Sequence, residues 1–585
     1  VNTQNNPRPK RLDCDLLVIG SGASGLAAAV TAASQGLKVI VVEKHATFGG
    51  ATAWSGGWLW VPGNPLAKRA GIDEDPQQPR TYLKNELGSR YNAERVDAFL
   101  DNAPRMVAFF EENTALKWVD GNGIPDIHGH VPGAAVQGHQ VIAAPYDARN
   151  MGRLIRRMRK PMRETSFLGM PIMAGPDLAA FLSMTQSLKS FIHVSKRFLR
   201  HLRDLALHGR AMHLVNGQAL VARLAKSAVD RGVTLIESAP ARQLILDQGT
   251  VLGAIVDTPD GTTHIYATRG VVLAAGGFPN DMRRRKALFP RTPTDNDHLA
   301  LPPVDCSGDG ISLGESAGGV LEVDVASPAA WAPVSLVPHA DGSTGHFPHI
   351  IDRAKPGLIG VLSTGKRFVN EADGYYDYTA AMMTAAPEGE EVASWLICDH
   401  RFQRRFGLGH SRPFPLPVGP SVRSGYLHRA ASIHALAEAC GIDPAGLSET
   451  VRNFNEHARN GQDPAFGRGS TPYNRKQGDP LITEGNPCVA PIEHGPFYAV
   501  KVRPGSFGTF AGLKTNGHAQ VVDRSGAAIT GLYAVGTDMA SVMGGYYPSG
   551  GINLGPAMTF GYIAGLHAAA AQHSTDASSN AQDVA

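Results

Sequence analysis

An α/β fold with a Rossmann-like dinucleotide-binding domain and at least one further domain is predicted by three features of the sequence. Residues 14–43 pass from an apolar run (CDLLVI) through Gly20-Ser21-Gly22-Ala23-Ser24-Gly25 into a small-residue helical pattern, then into a second apolar run ending on Glu43. The length, 585 residues, exceeds what one hydrophobic core fills and implies interrupted domain boundaries. Residues 544–562 (GGYYPSGGINLGPAMTFGY) join a glycine-rich turn to an apolar helix, which aims backbone N–H groups and a positive partial charge at whatever lies in front. Taken alone, that stretch is explained equally well by a tight loop before a core helix.

The spacing within the first unit has a physical reason at each position. Gly20 allows the tight turn, Gly22 lets backbone approach a pyrophosphate, Gly25 lets helix and strand pack closely, and Glu43 can accept from ribose hydroxyls. A lone GxGxxG is weak; strand, fingerprint, small-residue helix, strand and terminal acid together are a strong dinucleotide signal. The next residues, 44–62 (KHATFGGATAWSGGWLWVP), add Gly49-Gly50 and Ser55-Gly56-Gly57, more close-approach backbone than a nicotinamide site needs.

Composition sets the class. At 43% hydrophobic and 18% charged, the chain reads as an ordinary globular protein, and a formal charge of +3 gives no reason to expect a nucleic-acid partner. Five scattered cysteines with no CxxC argue against disulfides, a thiol redox pair or a zinc site, and no metal is expected. The stretch VNTQNNPRPKRLD has no apolar signal region, and no apolar run is long enough to span a bilayer, so a cytoplasmic enzyme is the default expectation.

The glycine series from residue 44 resembles the fumarate reductase and 3-ketosteroid dehydrogenase group of flavoproteins. The resemblance implies FAD along Gly20, Gly22, Ala23, Ser24, Gly25, Glu43, Lys44, Gly49, Gly50, Thr52, Ser55, Gly56 and Gly57. It extends to residues 272–278 (VLAAGGF), with Ala275, Gly276 and Gly277, and to residues 532–538 (LYAVGTD), with Gly536 and Asp538, as the second and third flavin-contacting turns. Asp309, in SGDG, and Asn553 with Leu554 complete the implied cofactor set. The succinate dehydrogenase branch attaches its flavin through a histidine after the second glycine pair; here that region reads TAWSGGW, so the FAD is expected to be non-covalent.

Residues 216–224, 233–237 and 251–256 read as helix, strand and strand completing the FAD domain. Between Arg149 and Arg210, thirteen Lys and Arg stand against three acids, a net +10. Phe181, Met184, Leu188, Phe191, Phe198, Leu202 and Leu205 repeat there at helical spacing, with Lys196, Arg197, Arg200 and Arg203 between them. Such a basic amphipathic helix can make a weak contact with an anionic membrane surface, although packing on its own domain or on a partner subunit is commoner.

Within residues 358–378 (LIGVLSTGKRFVNEADGYYDY), the GxRFxNE form makes Arg367, Asn370 and Glu371 structural anchors, and Tyr375 stands four residues past the Glu. Here the similarity narrows to the 3-ketosteroid Δ1-dehydrogenases, in which a tyrosine at that place is the catalytic base. Residues 495–500 (GPFYAV), Gly508-Thr509, residues 531–536 (GLYAVG) and residues 547–551 (YPSGG) before GPAMTFGY follow the same family order. The resemblance implies desaturation beside a ketone: Tyr375 takes the α proton, the Tyr547 hydroxyl and Gly551 N–H hold the ketone oxygen, and flavin N5 accepts the β hydride. The pKa of Tyr375 is then expected to fall from about 10, with activity rising with pH.

One family position departs. A supporting tyrosine is expected in a PDYYPE-like segment, and this chain has Pro125-Asp126-Ile127-His128-Gly129-His130. His128 or His130 could act as a relay, against the commoner alternative of a loop histidine in solvent. The departure puts in doubt the steroid more than the reaction. A 3-ketosteroid is the first expectation, a small cyclic ketone of the cyclohexanone or oxocyclohexanecarboxylate type the alternative. A fumarate-type reductase comes third, because Ser549 stands where such enzymes place a clamping arginine. Trp54, Trp58, Trp60, Trp118 and Trp331 could line a pocket or fill core. A single GxGxxG makes a quinone, a carrier or oxygen a better electron acceptor than NAD. The expected organisation is a discontinuous FAD-binding domain (10–281 and 506–573), an inserted α+β catalytic cap (282–505) and a disordered tail (574–585).

Overall fold

The computed structural model describes residues 10–292, 294 and 296–571; the expected disordered tail lies outside them. Its nucleotide-domain sheet has six strands, with the wholly buried Leu16–Ile19 at the centre. Val39–Val42 and then Thr234–Ile236 lie parallel on one side. Val271–Leu273 and then Ala528–Ala534 lie parallel on the other, and antiparallel Gln520–Val522 closes the edge. A strand from near the C-terminus thus completes a sheet begun at residue 16. Strands buried on both faces need continuous apolar runs, which is why VIVV and LLVI carry no alternation.

The first helix, Ala23–Ser34, packs against the last, Leu554–Ala570, at close range. A methyl group at Gly561 would lie 2.4 Å from the Ser24 carbonyl oxygen, and one at Gly565 2.8 Å from that of Ala28. The two sequence signals that stood out, at opposite ends of the chain, are therefore neighbours.

Several element boundaries differ from expectation. The run 14–19 is two strands: Lys10–Cys14 pairs with Gly261–Ala267 in a separate four-stranded sheet, and Leu16–Ile19 alone enters the nucleotide sheet. Thr250–Thr258, expected to complete the FAD domain's strands, lies in that four-stranded sheet too. The basic amphipathic segment is two helices, Pro176–Leu182 and Leu188–His208, because Ser187 turns the chain and its hydroxyl caps the second by accepting from Ser190 N–H.

Residues between the nucleotide segments build a mixed sheet in which Phe497–Thr509 pairs with Ala329–Pro338 on one side and Ser394–Cys398 on the other. Leu358–Val361 borders Ser394–Cys398. After it the chain turns through the anchor residues into the helix Tyr375–Ala385. A three-stranded sheet, Trp58–Trp60, Gln140–Ala143 and Trp118–Asp120, lies against the turn before the last helix: Trp60 N–H donates to the Gly551 carbonyl at 3.1 Å. Among the described residues, no helix is long and apolar enough to cross a membrane.

Candidate active site

The glycine-rich turn is shaped by contacts that a side chain would block. Gly20 has φ +112°, and a methyl group there would sit 2.1 Å from the Ala274 carbonyl oxygen. A methyl group on Gly25 would lie 2.1 Å from the Gly20 carbonyl oxygen, so helix and turn touch as the spacing implied. Thr52 reaches across to accept from Ala23 N–H at 3.0 Å, and Gly50 lies against Gly22. Gly536, φ +65°, closes the other side: a methyl group there would be 2.5 Å from Ser24 Oγ. The Gly20–Gly25 turn, Gly50 and Gly536 thus meet at one helix N-terminus, where backbone N–H groups and the helix dipole favour a diphosphate.

Charged residues border this cradle. Glu43 is buried and accepts from Ser21 N–H and Oγ (3.2 and 2.5 Å) and from His45 N–H (2.9 Å), so most of its acceptor capacity is already committed. Lys44 Nζ donates to Ser307 Oγ and Asp309 Oδ2, both at 2.7 Å, joining the first unit to the SGDG segment. Asp538 is fully buried and accepts from Ala275 N–H at 2.5 Å and Gly277 N–H at 2.9 Å. Burial raises its pKa to about 6 against those two bonds. It shapes the Ala275-Gly276-Gly277 turn, and Gly310 is required beside it because a methyl group would lie 2.0 Å from Asp538 Oδ2. Ser55 is fixed by the Thr52 carbonyl, Gly57 fits against Asn216, and Gly56 faces open space. Ser21, Ser307 and Thr509 also hold these turns; they stand inside or beside the quoted glycine motifs but were not named as cofactor residues, and Gly217, which fits against Thr52 and Ser55, was not singled out.

The residues expected to be catalytic lie where helix Tyr375–Ala385 meets the turn before helix Leu554–Ala570. Tyr375, the first residue of its helix, donates its hydroxyl hydrogen to Tyr547 OH at 2.7 Å, and both side chains are buried. Their rings meet edge to face at 5.0 Å, and Phe507 contacts Tyr375 the same way at 5.3 Å. Asn553 Nδ2 donates to Tyr547 OH at 3.5 Å. Because Tyr547 oxygen accepts from both neighbours, its own hydrogen is free for a third group. Gly551, φ +90°, is pressed against the Trp58–Trp60 strand, where a methyl group would lie 2.7 Å from Trp60 N. Among the described residues its N–H has no partner, so two donors four residues apart are uncommitted.

The expected fall in the pKa of Tyr375 is not present. Burial, together with the charge and hydrogen bond of Tyr547, pushes it well above 10, and Arg353 only partly opposes this. Burial raises Tyr547 to about 12. Tyr376 donates to the Gly545 carbonyl at 3.0 Å and is bonded to Ser327 Oγ at 2.6 Å, and Tyr378 is bonded to Ser394 Oγ at 2.9 Å, which leaves Tyr375 as the tyrosine of the three facing Tyr547 with its hydroxyl. Tyr473, on the short helix Pro472–Gln477, was missed; it is buried, and burial raises its pKa.

His128 is not a solvent histidine. Its Nδ1 lies 2.9 Å from Glu86 Oε2 and its Nε2 3.1 Å from Asp377 Oδ2, two residues past Tyr375, whereas His130 is exposed. Burial lowers the His128 pKa, but the bonds and charges of Asp377 and Glu86 outweigh it and raise it to about 10. His139, buried between Asp126 and Glu74 beneath Trp60, is likewise raised to about 10, with burial overcome by the same kind of pairing. Both values exceed the unperturbed 6.5, so the stability these pairs contribute is complete below pH 6.5 and is lost as pH rises through about 10. The unfolding temperature is expected to fall across that window, and His139→Gln to flatten the decline, as read by pH-dependent calorimetry.

Arg367 is clamped by Glu371 (2.7 and 2.6 Å) and Asp463 (2.8 Å to each oxygen), and Asn370 by Asn474 at 2.9 Å, as anchors should be. Arg353 donates to the carbonyls of His349, Glu371 and Asp373 and so holds the loop leading to Tyr375. Ser549 is buried and accepts from Gln140 at 3.0 Å. Trp60, Trp118 and Trp331 are core, and Trp54 stacks beneath Arg159.

Comparisons with known proteins show the family. A family model for an FAD binding domain matches residues 15–554. The chain is 41% identical over 557 residues to 4-oxocyclohex-2-ene-1-carboxylate 5-dehydrogenase of Sinomonas cyclohexanicum, covering 95% of this chain and 94% of that one. It is 34% identical over 571 residues to 3-oxosteroid 1-dehydrogenase of Mycolicibacterium smegmatis, covering 95% and 97%. The crystal structure of 3-ketosteroid Δ1-dehydrogenase from Sterolibacterium denitrificans, in complex with 1,4-androstadiene-3,17-dione, superposes with a TM-score of 0.88 at 33% identity, over 96% of this chain and all of the other. The glycine cradles fit FAD, and no histidine follows Gly49-Gly50 to attach it, so binding is non-covalent. The chain belongs to the family of FAD-dependent oxidoreductases acting on CH–CH groups that contains the 3-oxosteroid 1-dehydrogenases.

Proposed function

We propose that this enzyme desaturates a neutral cyclic ketone between its α and β carbons, with a 3-ketosteroid as the substrate class. The observation that carries the reading is the Tyr375–Tyr547 pair beside an unpartnered Gly551 N–H. The Tyr547 hydroxyl hydrogen and Gly551 N–H converge on the ketone oxygen and stabilise the enolate, while Tyr375 oxygen receives the α proton. Bound FAD supplies the hydride acceptor. The Asp377–His128–Glu86 row begins two residues past Tyr375. That row supports a relay in place of the family tyrosine absent at Ile127-His128.

The 41% identity to an oxocyclohexene carboxylate dehydrogenase favours a second reading, a small ring ketone. A carboxylated substrate needs a cation, and the two arginines nearest in sequence to the base are committed: Arg353 to three carbonyls, Arg367 to Glu371 and Asp463. That supports the neutral ketone. With one nucleotide fingerprint in the chain, a quinone, a carrier or oxygen fits as electron acceptor better than NAD.

Anaerobic mixing with androstenedione is expected to bleach the flavin absorbance within one turnover, while cyclohexanone and 4-oxocyclohexanecarboxylate bleach it slowly or not at all. Faster bleaching by either small ketone transfers the assignment to the second reading. Bleaching by none of the three removes both.

A further inference from the structure

The helix Leu188–His208 carries an uncovered apolar stripe. Leu188, Phe191, Ile192, Leu199, Leu202 and Leu207 are 75%, 51%, 44%, 66%, 42% and 69% exposed, against a background in which most large apolar side chains of the chain are buried. At 3.6 residues per turn, positions 188, 191, 192, 199 and 202 fall on one outward side. Val194, His201 and Asp204 face inward and are the buried residues of the helix. Exposed Lys189, Lys196 and Arg203 run along one edge of the stripe. The acid of this helix, Asp204, is buried and bonded to Arg149 at 2.5 Å, and Arg197 is held by Asp177 at 2.9 Å. The surface is therefore apolar along its ridge and cationic along its flank, with no exposed carboxylate on the helix.

We propose that this face docks in the plane of an anionic lipid bilayer. A 21-residue helix with this division lies flat, its leucines at the acyl boundary and its lysines at the phosphates. A second copy fits less well: an antiparallel twofold contact sets the same patch against itself and brings Lys189, Lys196 and Arg203 of both chains together. An anionic bilayer meets both halves of the face, and the inference does not depend on which ketone the enzyme takes.

The full chain with bound FAD is tested by sedimentation with vesicles of phosphatidylcholine alone and of phosphatidylcholine with phosphatidylglycerol in equal parts. Binding is expected to the anionic vesicles, to weaken with added salt, and to fall by about tenfold or more in Ile192→Glu/Leu199→Glu and in Lys189→Glu/Lys196→Glu. Both double variants change exposed side chains and should keep the flavin spectrum and turnover of dissolved ketone. Equal binding to the two vesicle types, no binding to either, or unchanged binding in either double variant overturns the proposal. So does a dimer that Ile192→Glu/Leu199→Glu converts to monomer, which would assign the face to a second copy.

Discussion

Tyr375→Phe lowers kcat by about 10²–10⁴-fold, the usual contribution of a positioned general base, and leaves the flavin bound. The ring stays: its edge contacts with Phe507 and Tyr547 involve carbon, so the hydroxyl alone is lost from a buried position. None of the turns that form the nucleotide cradle touches it, so the purified variant keeps its yellow colour. The measurement is the rate of anaerobic flavin bleaching by saturating ketone. A full rate would place the base elsewhere, and Tyr376 and Tyr378, bonded to Ser327 and Ser394, would be next. In the native enzyme the pH profile follows from burial, which with the neighbouring Tyr547 holds Tyr375 well above 10. Since kcat/KM reports the free enzyme, it should climb with pH through 10 with no plateau below it. Stability is lost over the same range as His128 and His139 deprotonate, so the two measurements must be made separately.

The nucleotide cradle was legible because its chemistry is backbone chemistry. Gly20, Gly25 and Gly536 are written in the sequence as residues that nothing larger can replace, and the close approaches at 2.1, 2.1 and 2.5 Å are the reason. Glu43 and Asp538 were legible as positions and less so as partners: Ser21 and His45 take the first, and Ala275 and Gly277 the second. Tyr375 and Tyr547 came from motif order, since no local pattern tells a catalytic tyrosine from a core one. His128 was legible as a candidate relay from its place in the motif, but its partners Glu86 and Asp377, and Tyr473, were out of reach, because these residues come from four separate segments and meet only in the folded chain. The direction of the Tyr375 pKa failed for a related reason. A base was expected to be activated at rest, whereas burial and a neighbouring hydroxyl dominate.

Tyr547→Phe is expected to cost about 3 kcal/mol of barrier, or about 10²-fold in rate, the scale for removing one preorganised donor to an oxyanion, and to raise KM because the same hydroxyl holds the ketone before reaction. A second consequence has the opposite sign. Tyr547 raises the pKa of Tyr375 by accepting its hydrogen bond, which favours the neutral hydroxyl, so phenylalanine removes an upward influence and the base becomes easier to ionise. The profile of kcat/KM against pH should therefore move to lower pH while its height falls. A structural disturbance would lower the curve without that displacement, and a Tyr547 that served as a proton relay instead of an oxyanion donor would move it upward or abolish it. The direction of the displacement thus separates a donor to the ketone oxygen from a carrier of the α proton.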